Sequence, residues 1–526
     1  MIENVTKILN VYNIFEMNSL TAEQISKQLY NFTYGHPLIQ TPFGQKYVIN
    51  ADVTASGYPN KLIETYINNR ILPFYGNVHS NAYCGRLMSH YINLSKDVIK
   101  KSVNACTDDQ IIFTGNGCSC AVNHLIHCLD LRNQSPEDTV VFISKAEHHS
   151  NHLPWKHLPI TLIYVPLLHT GLFDLIFLER ELIKYQRYPN ILASFIATSN
   201  VTGVHQDTQK ISQLVHKYNG LIFWDFAASA PYIPINVHMN DKIGAYYDAV
   251  FISTHKFFGG FSTPGILIAH RNLFKNDVPY CPAGGTVRFA CPNYQTYSQN
   301  IETKETGGTP NIIGSIKAGL AFTFKQKYQS YIEQWDKYVV KYVQTRLAKI
   351  RNIRLIYPPS NLNRQPIFSF MVDHLHYNMV VILLNDLFGI QSRGGISCCS
   401  LLAQDILGID PSQQKQIHDQ IVSNHGTPAG YGWCRVSFHY SMPKFIVDYI
   451  VNAIIFVTKY GVALQTLYKY DPKKNTWLYC PSNCPWNDFK NMTLLLDNYD
   501  QKIPITYLNK RILDEQFDYA VSIIKR

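Results

Sequence analysis

An α/β fold with a largely parallel sheet flanked by helices, followed by a smaller α+β domain, is what this sequence predicts. Three observations predict it. From about residue 46 to about residue 325, short apolar runs alternate with amphipathic stretches, the pattern of a parallel sheet whose strands are joined by helices. The runs are continuously apolar rather than alternating, as in strands covered on both faces. Several end abruptly in polar groups, and in such sheets ligands bind beyond the carboxyl ends of the strands.

Residues 1–45 read as short helices and a loop, a segment expected to pack on the smaller domain. The runs at 140–143, 162–165, 195–197, 221–223 and 250–252 read as buried strands, with an amphipathic helix over 207–218 between two of them. These belong to a large domain over 46–329. Ile332, Trp335, Val339, Val343, Leu347 and Ile350 recur at three- and four-residue steps, the spacing of one helix face. A strand at 367–372, a helix at 379–387, a strand at 433–440 and a helix at 445–457 complete a small domain over 330–465. The extension over 466–526 is richer in Pro, Asn and Lys, and nothing in its sequence assigns it a role.

The chain has 526 residues, 46% of them hydrophobic and 16% charged, so it has ample material for a buried core. The net charge is +10, yet no long basic run or aromatic-basic interleaving accompanies it; nucleic-acid binding is not expected. The 12 cysteines are scattered without repeated short spacings, which fits reduced thiols. The first 20 residues lack a signal-peptide core. No stretch reaches the roughly 18 uninterrupted apolar residues of a membrane helix. A soluble cytoplasmic protein is expected.

Two strand ends carry the chemistry. The run at 221–225 ends in Asp225, and the run at 250–256 ends in Lys256. A lysine at one strand end and an acid at another suit pyridoxal 5′-phosphate. The amine condenses with the cofactor aldehyde, and the acid keeps the pyridine nitrogen protonated so that the ring withdraws electrons. Gly115, Asn116, Gly117, Cys118 and Ser119 precede a helical face of Ala121, Val122, Leu125, Ile126 and Leu129. Small residues at a helix start leave backbone N–H groups free for an anion such as phosphate. His148 and His152 are four apart, a spacing zinc could use. A third ligand is missing, as is a second pair for Cys480 and Cys484, so no metal is expected.

Together these segments resemble the class V aminotransferase family of fold-type I pyridoxal-phosphate enzymes, within it the cysteine desulfurase and selenocysteine lyase branch. The matching pieces occur in order over roughly residues 46–460: Phe113 to Gly117, Glu147 to Asn151 with Pro154 and Trp155, Ser199 to Gly203, Asp225 to Ala227, Ser253 to Lys256, Gly307 to Asn311, Arg393 to Cys398, and Arg435. The resemblance implies that Lys256 holds the cofactor and moves protons, Asp225 pairs with the ring nitrogen, and His148 stacks on the ring. Ser119, Ser253 and His255 would hold the phosphate. Asn200 would lie near the ring hydroxyl. Thr309 would reach the phosphate of a neighbouring subunit, which implies a homodimer. Arg435, on an otherwise uncharged strand, would grip the substrate carboxylate, with Arg393 a second candidate and His79 a pocket histidine. Cys398 would take the substrate sulfur as a persulfide, a task for a thiolate on a mobile, accessible loop, and hand it to an acceptor protein.

The sequence also departs from the family. Ala228 stands where many relatives have a glutamine against the ring hydroxyl, and the run from Cys399 to Leu402 replaces a smaller, glycine-containing continuation. The expected reaction is therefore the conversion of L-cysteine to alanine and enzyme persulfide, or the selenocysteine equivalent. The alternatives are transamination, epimerisation or elimination without a thiol nucleophile, and a non-catalytic scaffold.

Overall fold

A computed structural model describes residues 21–131, 135–356, 363–423, 427, 430–480 and 503–525. Cys484, one half of the tail cysteine pair, lies outside them.

The chain enters through α1 (Ala22–Asn31), whose Thr21 cap is completed by Gln24, and a hairpin of β1 (His36–Thr41) and β2 (Gly44–Tyr47). The expectation of helices and a loop missed this hairpin. The Thr41–Gly44 turn has Gly44 at φ +85°, a conformation that favours glycine.

The large sheet follows. After α2 (Tyr83–Ser102) come β3 (Asp109–Thr114), α3 (Gly117–Cys128), β4 (Thr139–Ser144), α4 (His149–Lys156), β5 (Thr161–Val165), α5 (Leu175–Tyr185), β6 (Asn190–Ile196), α6 (Thr208–Lys217), β7 (Leu221–Asp225), β8 (Ala249–Ser253) and β9 (Gly265–His270). The seven strands lie in the order β3-β9-β8-β7-β6-β4-β5, with β9 alone antiparallel to its neighbours. Alternate residues serve opposite faces. Val140, Phe142, Ile222, Trp224, Val250 and Ile252 enter one core; Val141, Ile143, Phe223 and Phe251 enter the other, against Ala121, Val122 and Leu125 of α3. Both faces are dry over β4, β6, β7 and β8, which is why these strands read as unbroken apolar runs; β5, expected to be buried, is an edge strand half-buried up to Val165.

Helix α7 (Ile312–Leu347) begins 20 residues before the face seen in sequence. Its first half, with Ile316, Phe322 and Tyr328, belongs to the large-sheet core; its second half, with Val339, Val343 and Leu347, belongs to another. That second core lies against β10 (Ile353–Leu355), β11 (Ile367–Val372), α8 (Tyr377–Phe388), β12 (Arg393–Gly395) and, beyond α9 (Ser400–Leu407), β13 (Trp433–Ser437). The antiparallel sheet runs β10-β11-β13-β12. β13 stops three residues short of the expected end because His439 Nδ1 takes the N–H of Ser441 in a turn before Pro443. Helix α10 (Lys444–Leu464) is apolar enough, with the short turn after it, to cross a membrane by length and composition, but it is a core helix here, 61% of its most apolar window being buried.

Both flanks of the described residues join this second core. Tyr30, Phe43 and Ile49 enter it from one end; Leu508, Leu513 and Ala520 enter it from the other, the last two on α11 (Lys510–Lys525). Phe517 of α11 packs 5.5 Å from the ring of Phe388. The extension is thus part of the packing, and Leu513, 2% exposed, is its anchor. Leu513→Ala is expected to lower the unfolding free energy by roughly 2–4 kcal/mol, read as a reduced denaturant midpoint.

Candidate active site

The carboxyl edge of the large sheet gathers the turns after β4, β6, β7 and β8, so Glu147 and His148, Asn200, Asp225 and Lys256 converge there. Lys256 closes a single 3₁₀ turn fixed by Thr254 Oγ1, which donates to Pro264 O at 2.9 Å. The backbone at Gly57 presses on this turn: a β-carbon there would lie 2.4 Å from Lys256 O. Lys256 Nζ has no hydrogen-bond acceptor among the described residues. Burial lowers its pKa; Cys118 and Asp225 oppose this, and Arg435 and Arg393 reinforce it. Asp225 is 1% exposed, and one carboxylate oxygen accepts the Ala227 N–H at 2.7 Å. Burial raises its pKa, while Ala227, Lys256 and Cys118 pull it down.

Cys118 was read in sequence only as part of a helix start. Its N–H donates to Ser253 Oγ at 2.9 Å, and its thiol is buried against Asp225. Gly117, at φ +59°, leaves the space this needs, since a β-carbon would lie 2.8 Å from Ser253 Oγ. Asn116 provides no side-chain cap to α3; the Gly117 N–H turns back to Gly115 O and the Cys118 N–H goes to Ser253 Oγ, so that among the described residues the Ser119 N–H is the one left for an acceptor from outside. Ser119 Oγ meets Ser150 Oγ at 2.7 Å, and Ser150 Oγ meets His148 Nδ1 at 2.9 Å. Ser150 was also missed. Burial, then Lys256 and other nearby cations, push the His148 pKa down to about 3, so its ring is neutral at pH 7. His255 is lowered to about 4 by burial and Lys256, and its Nδ1 lies 3.3 Å from Ser56 Oγ. His152 pairs instead with Tyr164 Oη at 3.2 Å, away from His148.

The segment from Arg393 to Ser400 is held down rather than free. Arg393 to Gly395 pair with β13. Ser397 and Cys398 both have left-handed backbones, at φ 54° and 59°, each costing about 1–2 kcal/mol in a non-glycine residue. Four contacts offset this cost: His149 N–H to Cys398 O at 2.8 Å, Asn200 Nδ2 to Ser397 O at 3.0 Å, Trp433 Nε1 to Ser397 Oγ at 3.2 Å, and His149 Nε2 with Ser400 Oγ at 3.0 Å. The two cysteines separate. Cys399 is fully buried, its Sγ donates to Asn200 Oδ1 at 3.0 Å, and burial pushes its thiol up to about 12. Cys398 is half-buried, with Arg393 Nη2 3.6 Å from its sulfur. Asn200 has both ends of its amide committed to this loop.

Arg435 is 2% exposed. Its Nη1 donates to Asn200 O at 3.0 Å and its Nη2 to Asp52 Oδ1 at 2.5 Å. Asp52 was not foreseen; the one hint was its place among the small residues between Ala51 and Gly57. His79 and Thr309 form a separate exposed group around Asn77, whose Nδ2 donates to Thr309 Oγ1 at 3.0 Å and whose Oδ1 accepts the His79 N–H at 2.9 Å. No hydrogen bond or ion pair joins them to Lys256, Asp225 or His148 among the described residues.

Residues 54–450 match the family described as aminotransferase class-V. The chain belongs to the class-V aminotransferase family. A probable cysteine desulfurase from Borreliella burgdorferi is 27% identical over 369 residues, 69% of this chain and 85% of that one. Another from Halalkalibacterium halodurans is 26% identical over 62% of this chain and 78% of its own. Among solved structures, the apo cysteine desulfurase of Thermococcus onnurineus NA1 superposes with a TM-score of 0.65 at 22% identity, covering 78% of this chain and 95% of that one. An S-sulfonic acid form of a cysteine desulfurase from Escherichia coli gives 0.63 at 21%, covering 81% and 97%.

Class-V aminotransferases are pyridoxal-phosphate-dependent enzymes, and the residues present fit that cofactor. Among the described residues, Asp225 is a buried acid with no cation in salt-bridge contact, Lys256 is a buried amine without an acceptor, and a helix start without a cap from Asn116 stands beside the hydroxyls of Ser119, Ser150 and Ser253. His148 contributes one part of the pH response, alongside other histidines that burial keeps neutral, among them His152, His205, His255 and His439. The neutral form of His148 is favoured in the fold, so its contribution to stability is full above about pH 6.5 and is lost as pH falls through about 3. His148→Asn keeps a good helix cap. It is expected to reduce the fall in stability between pH 7 and pH 5 by up to roughly 2 kcal/mol, the share of this histidine, measured by denaturation at each pH.

Proposed function

We propose that this chain is a cysteine desulfurase, converting L-cysteine to L-alanine and leaving the sulfur on Cys398 as a persulfide, with selenocysteine an equivalent substrate. The observation that carries the reading is the division of labour between adjacent thiols. Cys399 is buried and bonded to Asn200, while Cys398 keeps surface and stands against the Arg393 guanidinium. A sulfur nucleophile needs access and a cationic neighbour, and only Cys398 of the two has both.

Pyridoxal phosphate, when bound, supplies an electron sink for the substrate α-carbon. Lys256 would hold it, Asp225 would face its ring nitrogen, His148 would lie on its face, and Ser119, Ser253 and His255 would surround its phosphate. Lys256, with its pKa lowered by burial, then takes the proton from the substrate Cα and returns it. Arg393 and Arg435 orient the substrate carboxylate. The pinned backbone around Cys398 supports an attack geometry defined before substrate arrives. Asn200 is committed to that loop, so we assign it to positioning Cys398 as much as to the cofactor ring. With Ala228 lacking a polar group, the ring hydroxyl is left to other donors.

A homodimer belongs to the same proposal. Thr309 is exposed, and the nearby sequence carries exposed Tyr280, Val287, Phe289 and Tyr294. An apolar surface of this kind calls for a partner, and Thr309 would then complete the site across the interface. A sulfur-acceptor protein would take the persulfide.

Sulfur release from L-cysteine under reducing conditions tests the reading. Cys398→Ala is expected to lose roughly 100-fold or more of the rate while retaining the visible band of bound cofactor. Cys399→Ala should stay within about threefold of the parent. Retained release by Cys398→Ala would instead favour an elimination without a thiol nucleophile.

A further inference from the structure

The segment between Asn50 and Gly57 crosses the site, and neither its position nor its chemistry was evident in sequence. It is stitched to the end of β13: Ser437 N–H donates to Ala51 O at 2.7 Å, and Thr54 N–H donates to Ser437 Oγ at 3.2 Å. Its other end reaches the lysine turn, where Gly57 N–H donates to His255 O at 3.1 Å. Between these anchors, Asp52 N–H is fixed by Asn50 Oδ1 at 2.8 Å and Asp52 O by the Ala55 N–H at 3.0 Å. The backbone therefore sets the Asp52 carboxylate in place beside Arg435, 2.5 Å from Nη2.

The two arginines of the site are not equivalent. Arg435 is charge-balanced by Asp52 and also donates to a backbone carbonyl, and its Nε is a buried donor with no acceptor among the described residues. The Asp52 side chain is 24% exposed against 2% for Arg435, so the acid lies on the approach to the guanidinium. Arg393 is half-buried and has no carboxylate within ion-pair distance among the described residues. Its guanidinium points instead at Cys398.

We propose that Asp52 is a specificity-determining residue: an internal carboxylate that competes with the substrate carboxylate for Arg435 and leaves Arg393 as the principal anchor. The inference rests on the proposed amino-acid substrate but not on its sulfur chemistry. An incoming carboxylate meets a guanidinium whose charge is already neutralised. It must displace Asp52 or accept the unpaired Nε edge while repelled by Asp52. Either route makes binding at Arg435 weaker than a lone buried arginine would allow. A ligand without a carboxylate is indifferent to Asp52.

Calorimetric titration of the cofactor-loaded protein with propionate, and with propionamide as the uncharged control, tests this. Asp52→Asn is expected to bind propionate about tenfold more tightly than the parent, a coupling of ordinary size, with propionamide unchanged. Asp52→Glu, which keeps the charge, should gain nothing. Unchanged or weaker propionate binding by folded Asp52→Asn would overturn the proposal and leave Asp52 a structural partner. A second measurement needs no change at Asp52: in the otherwise unmodified protein, Arg393→Met should cost more propionate affinity than Arg435→Met, and the reverse order overturns the assignment. No sulfur is transferred in these titrations. Tightened propionate binding without sulfur release from cysteine would retire the desulfurase reading alone; sulfur release without tightening would retire the role of Asp52 alone.

Discussion

The site is organised around an amine buried where an amine resists being charged. Lys256 stands at the end of β8, out of water, with one acid near it and two guanidiniums within electrostatic reach. A buried ammonium is costly unless paired, and the usual relief is loss of the proton. The surrounding fold sustains this condition. Two dry sheet faces hold the strands in place, Gly57 lets a second segment close over the lysine turn, and Thr254 ties that turn to the next strand. Without that closure the amine would be a solvated surface lysine, protonated at neutral pH and useless as a nucleophile.

The same economy of charge governs the rest of the pocket. Asp225 is buried with a thiol and a backbone N–H for company, a poor match for a carboxylate and a good one for a cation that arrives with the cofactor. His148 and His255 are kept neutral by burial and by Lys256, so they can pack against a ring or phosphate without adding repulsion. The loop at Ser397 and Cys398 spends conformational energy on two left-handed residues, and the bonds from His149, Asn200 and Trp433 hold it there. Strain of this kind persists where surrounding contacts over-determine the backbone.

How much of this could be read from the chain depends on whether a feature is local. The five strands read from apolar runs were legible because each is a continuous apolar run, although the edge strand β5 is half-buried rather than buried, and the residues just past them were legible because parallel sheets present that edge to ligands. Helix α7 was only half legible. From Ile312 to Ile332 it is buried on nearly every side, with Gly314 to Gly319 all inside, so no polar face reveals its period. The hairpin of β1 and β2 was missed because its strands are short and partly exposed. Asp52, Ser150 and Cys118 were illegible as site residues for a different reason: their partners Arg435, Ser119 and Asp225 come from other elements, and no spacing in sequence announces that approach. A thiolate on a mobile loop was the expectation for Cys398; the loop is pinned, because Asn200, four residues past β6, reaches across to it.

That pinning and the pairing of Arg435 with Asp52 have one physical consequence in common. Asn200 accepts from Arg435 through its carbonyl and holds the cysteine loop through its amide, so the buried guanidinium, Asp52 and the backbone of Cys398 form one connected network. Buried polar networks are stabilising only when their members are satisfied together. A carboxylate that drew Arg435 away from Asp52 would pull on Asn200 and hence on the loop that carries the thiol. Arg393 has no such linkage to Asn200 among the described residues, and its guanidinium already faces the sulfur. Under the proposed reading, anchoring a substrate on Arg393 would leave the network intact and bring the carboxylate and the Cys398 sulfur toward the same cation, the arrangement that would cost least in reorganisation before sulfur transfer.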